Sequence, residues 1–348
     1  LQPAIEEVLH ALERGELREE VNRILLAQMA TMHALNARYD LLVWESDIVR
    51  AGLLQKALAL LEQSPHVFRP REGKYAGALV MDASPVIPGL EDPFFVLLRS
   101  NGTATYYAKD IAFQFWKMGI LEGLRFRPYE NPYYPGLRTS APEGEAYTPK
   151  AEETINVIDV RQSHPQALVR AALALAGYPA LAEKAHHLAY ETVLLEGRQM
   201  SGRKGLAVSV DEVLEEATRR ARAIVEEKNP DHPDKEEAAR MVALGAIRFS
   251  MVKTEPKKQI DFRYQEALSF EGDTGPYVQY AHARAHSILH LAASWNAYYN
   301  ARENGQPATP VLTAPEGLRE LRLSLVQSLQ RTLATGLDLL GIPAPEVM

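Results

Sequence analysis

The stretch that decides the fold class is Thr154-Ile155-Asn156-Val157-Ile158-Asp159-Val160. This run is rich in β-branched and apolar residues, which is typical of a strand covered on both faces in a parallel sheet. Apolar residues at helical spacing follow over residues 165–176. Because a strand that leads directly into a helix is the repeating unit of parallel sheets, the stretch predicts an α/β domain.

The residues upstream repeat these signals. Two more apolar runs bounded by Pro and Gly, at residues 78–81 and 94–98, predict further strands covered on both faces. The other elements predicted before residue 150 are two helices broken at Gly15 within residues 4–39, a short strand at 41–44, helices at 52–63 and 109–119, and a long surface loop at 128–149.

The residues after Gly205 predict helices almost throughout. Ser209 and Glu212 have the spacing of a capping box and predict a helix that ends near Lys228. Further helices are predicted over residues 235–250, 275–299 and 317–340. The chain therefore combines an α/β part with a helical C-terminal part.

The composition limits the possible classes of protein. A chain of 348 residues is long enough for two or three domains. It contains no cysteine, which excludes disulfides, thiolate nucleophiles and cysteine-bound metal centres. It has no apolar run of about 18 residues, so we expect no membrane partner. The net charge is -7, and contacts with nucleic acid would therefore depend on local basic clusters.

Acidic residues follow several of the predicted strands and helix starts. Glu45 lies just past the strand at 41–44, and Asp159 with Gln162 lies past the strand at 154–160. Tyr106 and Asp110 are four residues apart and would share one helix face. Ligands of open α/β sheets bind at the carboxyl ends of the strands. Carboxylates match a planar guanidinium bidentately, so this set would suit an arginine side chain.

A glycine-rich basic segment, Gly197-Arg198-Gln199-Met200-Ser201-Gly202-Arg203-Lys204-Gly205, has three glycines and three cations. Backbone N–H groups and cationic side chains of this kind suit a phosphate chain. A solvated basic turn explains the same composition, and the residues alone leave both readings open.

Several motifs together resemble one protein family. Met200-Ser201-Gly202-Arg203 resembles the KMSKS loop of class I aminoacyl-tRNA synthetases, and residues 269–284 are similar to the segment that opens the anticodon-binding domain of arginyl-tRNA synthetases. The further segments that fit this family are Tyr106-Tyr107-Ala108-Lys109-Asp110, Asp159-Val160-Arg161-Gln162 and the closing Gly341-Ile342-Pro343-Ala344-Pro345-Glu346-Val347-Met348. The resemblance covers nearly the whole chain.

This resemblance implies a Rossmann-type parallel sheet followed by an all-α anticodon-binding bundle. The implied domains are residues 1–196 (catalytic, with the arginine pocket), 197–265 (KMSKS-like loop and connecting helices) and 266–348 (anticodon-binding). The implied activity is the cytoplasmic, ATP-dependent ligation of arginine to tRNA(Arg) through an arginyl-adenylate, with Mg²⁺ accompanying ATP. The implied partners are therefore L-arginine and tRNA(Arg).

The resemblance also assigns roles to individual residues. The arginine-binding residues are Glu45, Tyr106, Asp110 and Gln162, to which we add Asp159 on its position. The ATP-binding residues are His187, Tyr190, Met200, Ser201 and Arg203; the catalytic loop residues are Met200, Ser201, Arg203 and Lys204. The tRNA-binding residues are Tyr277, Gln279, Tyr280, Arg284, Tyr298, Tyr299 and Met348.

The sequence departs from the family pattern in three places. Gln199 and Arg203 replace the two lysines of KMSKS, and Arg198 or Lys204 could supply the missing charge. No HIGH-type motif is present, and we expect it upstream of Leu1 in a longer protein. The helical part also looks several tens of residues short between Leu289 and Trp295.

Two alternative functions remain. One is a non-catalytic tRNA-binding paralogue, which the missing HIGH motif favours; the other is a different class I synthetase, which the guanidinium-matched acids oppose.

His282, His286 and His290 recur every four residues, but three successive helical turns cannot converge on one ion, so we expect no structural zinc and place them on a polar face near RNA.

Overall fold

The structure, a computed structural model, describes residues 7–8, 11, 14–199, 208–299 and 314–348, with backbone alone over residues 293–299. It separates into two compact units. The first comprises Leu1–His33 with Arg38–Tyr190, and the second comprises Ala34–Ala37 with Glu191–Met348. The predicted boundaries at 196 and 265 both fall within the second unit.

The first unit alternates short helices and strands. Its helices are α1 Arg18–Ala34, α2 Glu45–Arg50, α3 Leu53–Leu61, α4 Tyr106–Lys117, α5 Ser163–Leu175 and α6 Pro179–Glu183. Its strands are β1 Leu41–Leu42, β2 Val67–Phe68, β3 Leu79–Asp82, β4 Phe94–Leu98, β5 Arg125–Pro128, β6 Arg138–Ser140, β7 Glu145–Ala146, β8 Thr154–Asp159 and β9 Ala185–Tyr190. The α/β class predicted from the sequence is therefore confirmed, and α5 follows β8 as expected.

Strands β8 and β9 form a parallel pair whose register runs from Thr154↔Ala185 to Asp159↔Tyr190. The prediction that β8 is covered on both faces was wrong. Ile155 and Val157 are 63% and 61% exposed, whereas Thr154 is buried. The described part of this sheet has two strands, and alternate side chains of β8 point away from the core.

The other sheets of this unit are mixed or antiparallel. Strands β2, β3 and β4 form an antiparallel sheet, and β1-β6-β5-β7 combines one parallel pair with two antiparallel pairs. The apolar run at 78–81 is buried as predicted, but Phe94 at the start of β4 is 37% exposed. The sequence of these short apolar runs did not indicate whether the strands pair in parallel or antiparallel.

The predicted surface loop over residues 128–149 was wrong in its central part. This segment contains β6 and β7, and Leu137, Thr139 and Ser140 are almost fully buried. The polar side chains of β6 are buried because they bond to the turn that begins at Trp44. Strand β6 faces the interior of the unit and positions the candidate site.

The core of the first unit lies between α3, α4 and α5. Phe115, Trp116 and Phe126 are buried, and the rings of Trp116 and Phe126 stack with centroids 5.7 Å apart. Each fully buried side chain of this size contributes about 1.5–3 kcal/mol to the free energy of unfolding. Helix α4 is therefore firmly held, which fixes the polar residues on its opposite face.

The second unit is mainly helical. Its elements are β10 Val193–Leu195, β11 Arg198–Gln199, α7 Val210–Lys228, α8 Lys235–Val252, β12 Ile260–Phe262, α9 Tyr264–Ala267, α10 Gly275–Tyr299 and α11 Glu316–Leu339. The capping box is confirmed: Ser209 Oγ accepts from the Glu212 amide at 3.1 Å, and the Glu212 carboxylate accepts from the Ser209 amide at 2.7 Å. Strand β12, parallel to β10, was not predicted. None of the described helices is long and apolar enough to span a bilayer.

Helices α8 and α10 approach each other closely at Gly245. A methyl group added there would lie 2.3 Å from Gln279 Oε1, so we expect Gly245→Ala to lower the free energy of unfolding by about 1–3 kcal/mol through overpacking. Gly317→Ala is the matched control, because no atom lies within 4 Å of its added methyl group and alanine favours the helix. Thermal unfolding of both variants tests the pair; equal melting temperatures would contradict the close contact.

Candidate functional site

The turn from β1 into α2 places Glu45 at the first position of α2. The Trp44 amide donates to Ser140 Oγ at 2.9 Å, and Ser140 Oγ donates to the buried Asp47 carboxylate at 2.7 Å. Arg18 also donates to Asp47, at 2.6 Å. These bonds tie the turn to β6 and α1, so the direction of Glu45 is set by buried neighbours.

Glu45 faces the first turns of α4. Its carboxylate accepts from Lys109 Nζ at 2.7 Å, and the Lys109 side chain is only 15% exposed. Asp110 lies on the wall of an open groove, where surrounding protein atoms keep enough water from its carboxylate to raise its pKa, and the nearby Glu45 carboxylate raises that pKa further. The predicted juxtaposition of Glu45 and Asp110 is therefore present.

Tyr106 begins α4 and is 53% exposed. Its ring contacts that of Tyr107, with centroids 4.0 Å apart. Partial burial, followed by the hydrogen bond with Tyr107 and the charge of Asp110, raises the pKa of Tyr106 to about 12. The hydroxyl therefore stays protonated and can donate or accept a hydrogen bond beside Asp110.

The groove beside Asp110 has a volume of about 300 Å³ and lies between α4, β8 and α5. Its lining residues are Asp110, Phe113, Gln114, Lys117, Ile155, Asn156, Val157, Ile158, Gln166 and Val169. Sequence reasoning missed Gln114 and Lys117, although they follow Asp110 at intervals of four and seven, the spacing of one helix face. Asn156 was hidden within an apolar strand.

Hydrogen-bonded amides form the floor of this groove. Asn156 Nδ2 donates to Gln166 Oε1 at 2.8 Å and to Gln114 Oε1 at 3.2 Å. Gln114 Nε2 donates in turn to Thr154 Oγ1 at 2.7 Å. The remaining oxygen of Asn156 accepts from Lys117 Nζ at 2.5 Å. Because each of these amides is hydrogen-bonded to a neighbouring side chain, the floor of the groove is rigid.

Asp159 and Gln162 occupy the carboxyl end of β8 but differ in availability. The Asp159 carboxylate accepts from Arg161 Nε and Nη2 at 2.8 and 2.7 Å and from the Arg161 amide, and these bonds lower its pKa to about 2. Asp159 thus already holds a guanidinium, which opposes its predicted role toward substrate. Gln162 is exposed and caps α5 without a side-chain bond.

His187 and Tyr190 lie on β9. The ring nitrogen Nε2 of His187 lies 2.9 Å from the Ile158 carbonyl oxygen, to which it donates a hydrogen bond. Tyr190 is 44% exposed at the carboxyl end of β9, opposite Asp159 in the register. Tyr190 therefore lies at the strand end where parallel sheets bind ligands, whereas His187 lies three residues before that end.

The glycine-rich basic segment begins on the hairpin of β10 and β11. Glu196 and Gly197 have φ values of 51° and 75°, as a two-residue turn of this type requires, and the Gly197 amide donates to Asp261 Oδ1 at 2.7 Å. Arg198 and Gln199 on β11 are exposed. Met200, Ser201, Arg203 and Lys204 lie outside the described residues.

The helical unit carries an aromatic and basic groove on α10. Tyr277 and Tyr280 are 48% and 39% exposed, and Arg284 Nη1 donates to the Tyr280 hydroxyl at 3.0 Å. Tyr280, Arg284 and Met348 line one cavity of about 370 Å³, together with Asn229. Asn229 Nδ2 donates to the Met348 carbonyl at 3.1 Å, which holds Met348 against this groove.

Two residues of α10 have structural roles instead. Gln279 is fully buried, and its Nε2 donates to the carbonyls of Met241 and Pro343 at 2.9 Å each. This burial contradicts the predicted contact with RNA. His282 is also buried, with Nδ1 2.9 Å from the Pro345 carbonyl oxygen, so it does not belong to an exposed polar face. The side chains of Tyr298 and Tyr299 lie outside the described residues.

The other two histidines of α10 contact each other. His286 Nε2 lies 3.7 Å from a Glu346 oxygen, and the rings of His286 and His290 stack with centroids 6.5 Å apart. Across the part of the chain that the structure describes, no three His, Cys, Asp or Glu side chains are grouped to hold a metal ion.

Two models of known protein families match parts of this chain. Residues 140–264 match the family model of class I tRNA synthetases (R), catalytic domain, and residues 288–348 match the DALR anticodon binding domain. The fold and these two domains are those of a class I aminoacyl-tRNA synthetase.

Relatives identify the family within this class. An arginine–tRNA ligase of Thermus thermophilus is 87% identical over 397 residues, covering 100% of this chain and 67% of the relative. That of Deinococcus radiodurans is 44% identical, covering 100% of this chain and 68% of the relative. The solved Thermus thermophilus arginyl-tRNA synthetase superimposes with a TM-score of 0.91 at 86% identity, covering 100% of this chain and 67% of that chain. The chain belongs to the arginine–tRNA ligase family.

The chain spans about two thirds of the length of these relatives. The Thermus thermophilus alignment extends over 397 positions, 49 more than the 348 residues of this chain, so that relative has residues without a counterpart here.

Proposed function

We propose that this chain ligates arginine to tRNA(Arg), with Glu45, Tyr106 and Asp110 holding the arginine side chain. The observation that supports this most strongly is the pairing of Glu45 and Asp110 beside an open groove on α4. Two carboxylates offer acceptors on two edges of a guanidinium, and the protonated Tyr106 hydroxyl adds a neutral polar contact. Gln162 is proposed as a further polar contact at the end of β8.

When the guanidinium binds, it replaces Lys109 as the partner of the Glu45 carboxylate. Lys109 occupies the Glu45 carboxylate in the empty pocket at 2.7 Å. A planar guanidinium can bond to Glu45 and Asp110 at once, whereas the ammonium of Lys109 acts as a point charge. The pocket therefore favours arginine by geometry as well as by charge.

The ATP contacts are proposed at the carboxyl ends of β8 and β9. His187 and Tyr190 of β9 are proposed to contact ATP, and residues Met200, Ser201, Arg203 and Lys204 are proposed to close over the phosphates. The cations of this segment, with Mg²⁺ carried by ATP, would neutralise charge that develops on the leaving pyrophosphate.

The reaction needs no nucleophilic side chain. The carboxylate of arginine attacks the α-phosphate of ATP and displaces pyrophosphate; the terminal ribose hydroxyl of tRNA then takes the arginyl group and releases AMP. The contribution of Glu45 and Asp110 is to fix the arginine side chain, so that the carboxylate is presented in line with the leaving group. A small displacement of α4 would therefore reduce the rate.

The tRNA contacts are proposed on α10 and at the end of the chain. Tyr277, Tyr280 and Arg284 present exposed rings and a cation, and Met348 lies in the same groove as Tyr280 and Arg284. Aromatic faces stack with unpaired bases, which is the usual basis of single-stranded RNA recognition. Tyr298 and Tyr299 are proposed as further contacts. A cytoplasmic location follows from this role in translation.

The test is arginine-dependent exchange of pyrophosphate into ATP, measured with and without tRNA(Arg). We expect exchange with arginine and no exchange with lysine, because the proposed contacts with two carboxylates suit a planar guanidinium and not a point-like ammonium. Charging of tRNA(Arg) with radiolabelled arginine is the second measurement. Binding of tRNA without exchange or charging would instead indicate the non-catalytic paralogue, and exchange with another amino acid would indicate a different class I synthetase.

A further inference from the structure

The groove beside Asp110 contains one acid and one base. Of its ten lining residues, only Asp110 and Lys117 carry charge; the remaining polar ones are the amides of Gln114, Asn156 and Gln166. The empty groove is thus electrically balanced. A guanidinium that binds to Asp110 would add a second cation to this confined space, at a cost that grows as water leaves.

The position of Lys117 is fixed by its surroundings. Its ammonium lies 5.1 Å from the centre of the Phe113 ring and donates to Asn156 Oδ1 at 2.5 Å. The amide nitrogen of Asn156 is already committed to Gln114 and Gln166, so the amide cannot rotate away without breaking both bonds. The ammonium therefore remains on the groove floor, on the same helix face as Asp110.

No hydrogen bond or ion pair occupies the Asp110 carboxylate among the residues that the structure describes. The charge of Lys117 nevertheless acts on it, since Lys117 lowers the pKa of Asp110 and Asp110 raises that of Lys117. The two groups are coupled across the groove without direct contact. The space between them is where a ligand can bind.

We propose that Lys117 is a positioning residue of the arginine pocket: its ammonium balances Asp110 in the empty groove and gives up its proton when the substrate guanidinium takes Asp110. This inference rests on the proposed role of Asp110 in binding arginine. Lys117 contributes by charge and by its hold on Asn156, and it acts on arginine through Asp110. Release of the proton keeps the occupied groove as neutral as the empty one.

The environment of Lys117 suits such a release. Burial lowers the pKa of Lys117 to about 8, while the carboxylate of Asp110 opposes this shift. From its own helix the charged groups that face this region are Asp110 and Lys109, and from α2 the facing group is Glu45. From β8 and α5 the facing polar groups are the neutral amides of Asn156 and Gln166.

The direction of the expected pH dependence follows from these charges. When a guanidinium neutralises Asp110, the support for protonated Lys117 is lost and its pKa falls below 8. Protonated Lys117 therefore opposes arginine, and raising the pH removes that opposition. Arginine should bind more tightly as the pH rises, until Lys117 is deprotonated in the empty groove as well.

Isothermal titration of arginine into the protein, in buffers of different ionisation enthalpy, measures this directly. If binding lowers the pKa of Lys117 by one unit, about half a proton leaves per arginine near pH 7.5, and the Kd falls about sixfold between about pH 6.5 and 8.5. Lys117→Met should abolish the release and flatten the profile. Lys117→Arg should bind arginine weakly at each pH in this range and release no proton.

Lys56→Met is the matched control, because Lys56 donates to the Glu122 carbonyl, remote from the groove. It should retain the wild-type proton release. Binding of arginine to the wild type without release, or release that persists in Lys117→Met, would overturn the inference and leave the proposed function standing. A failure of the wild type to bind arginine would overturn both. Circular dichroism confirms that each variant is folded.

Discussion

Replacing Asp110 by asparagine should raise the KM for arginine by roughly 30-fold to several thousandfold, since removing one partner of a charge pair that the bound arginine covers costs about 2–5 kcal/mol. The amide keeps the size of the carboxylate but replaces one acceptor with a donor that faces the donors of the guanidinium. The Glu45 carboxylate alone cannot compensate, because it is bonded to Lys109 and its side chain is 65% exposed. Steady-state exchange kinetics with varied arginine measure this effect.

The affinity for tRNA(Arg) should be unchanged in this variant, since the proposed RNA contacts are on α10. Asp92→Asn is the matched control: Asp92 is another aspartate of the first unit, bonded to Lys74 at 2.7 Å between loops next to the antiparallel sheet. Its arginine kinetics should match the wild type. Weakened tRNA binding with normal arginine kinetics in Asp110→Asn would reverse the assignment of the pocket.

Replacing Tyr280 by alanine should weaken the affinity for tRNA(Arg) by about 5- to 150-fold, because stacking of one base on an aromatic ring contributes roughly 1–3 kcal/mol. The loss should fall on the Kd for tRNA, while the KM for arginine stays the same. Filter binding at two salt concentrations measures it. The salt dependence should persist, because Arg284 remains to meet the phosphates.

Two further variants separate stacking from the hydrogen bond with Arg284. Tyr280→Phe keeps the ring and loses only the hydroxyl that Arg284 contacts at 3.0 Å, so it should retain most of the affinity. Tyr39→Ala removes a tyrosine of similar exposure from the first unit, and tRNA binding should be unaffected. Equal losses in Tyr280→Ala and Tyr39→Ala would show that exposed tyrosines contribute only non-specifically.

The elements that were predicted correctly depend on local signals. Helix α10 begins and ends at the predicted residues, 275 and 299, and the capping box at Ser209 forms as expected. Both depend on residues within a few positions of each other. Glu45 and Asp110 were also brought together as predicted, because strand ends and helix starts can be recognised from local patterns.

The elements that were predicted wrongly depend on distant partners. The segment at 128–149 has the polar composition of a loop, yet Ser140 is buried because Trp44 and Asp47 bond to it from about 95 residues away along the chain. The burial of Gln279 depends likewise on the Met241 and Pro343 carbonyls. The residues next to Ser140 and Gln279 in the sequence do not indicate which distant groups bond to them.

Lys109 and Lys117, which lie near the two acids of the proposed pocket, bear on which amino acid the pocket selects. Citrulline has the shape of arginine but carries a neutral urea, which lacks the positive charge that a carboxylate attracts. It would also lack the charge needed to replace Lys109 at Glu45. In the proposed pocket a neutral mimic would therefore be bound less tightly than arginine.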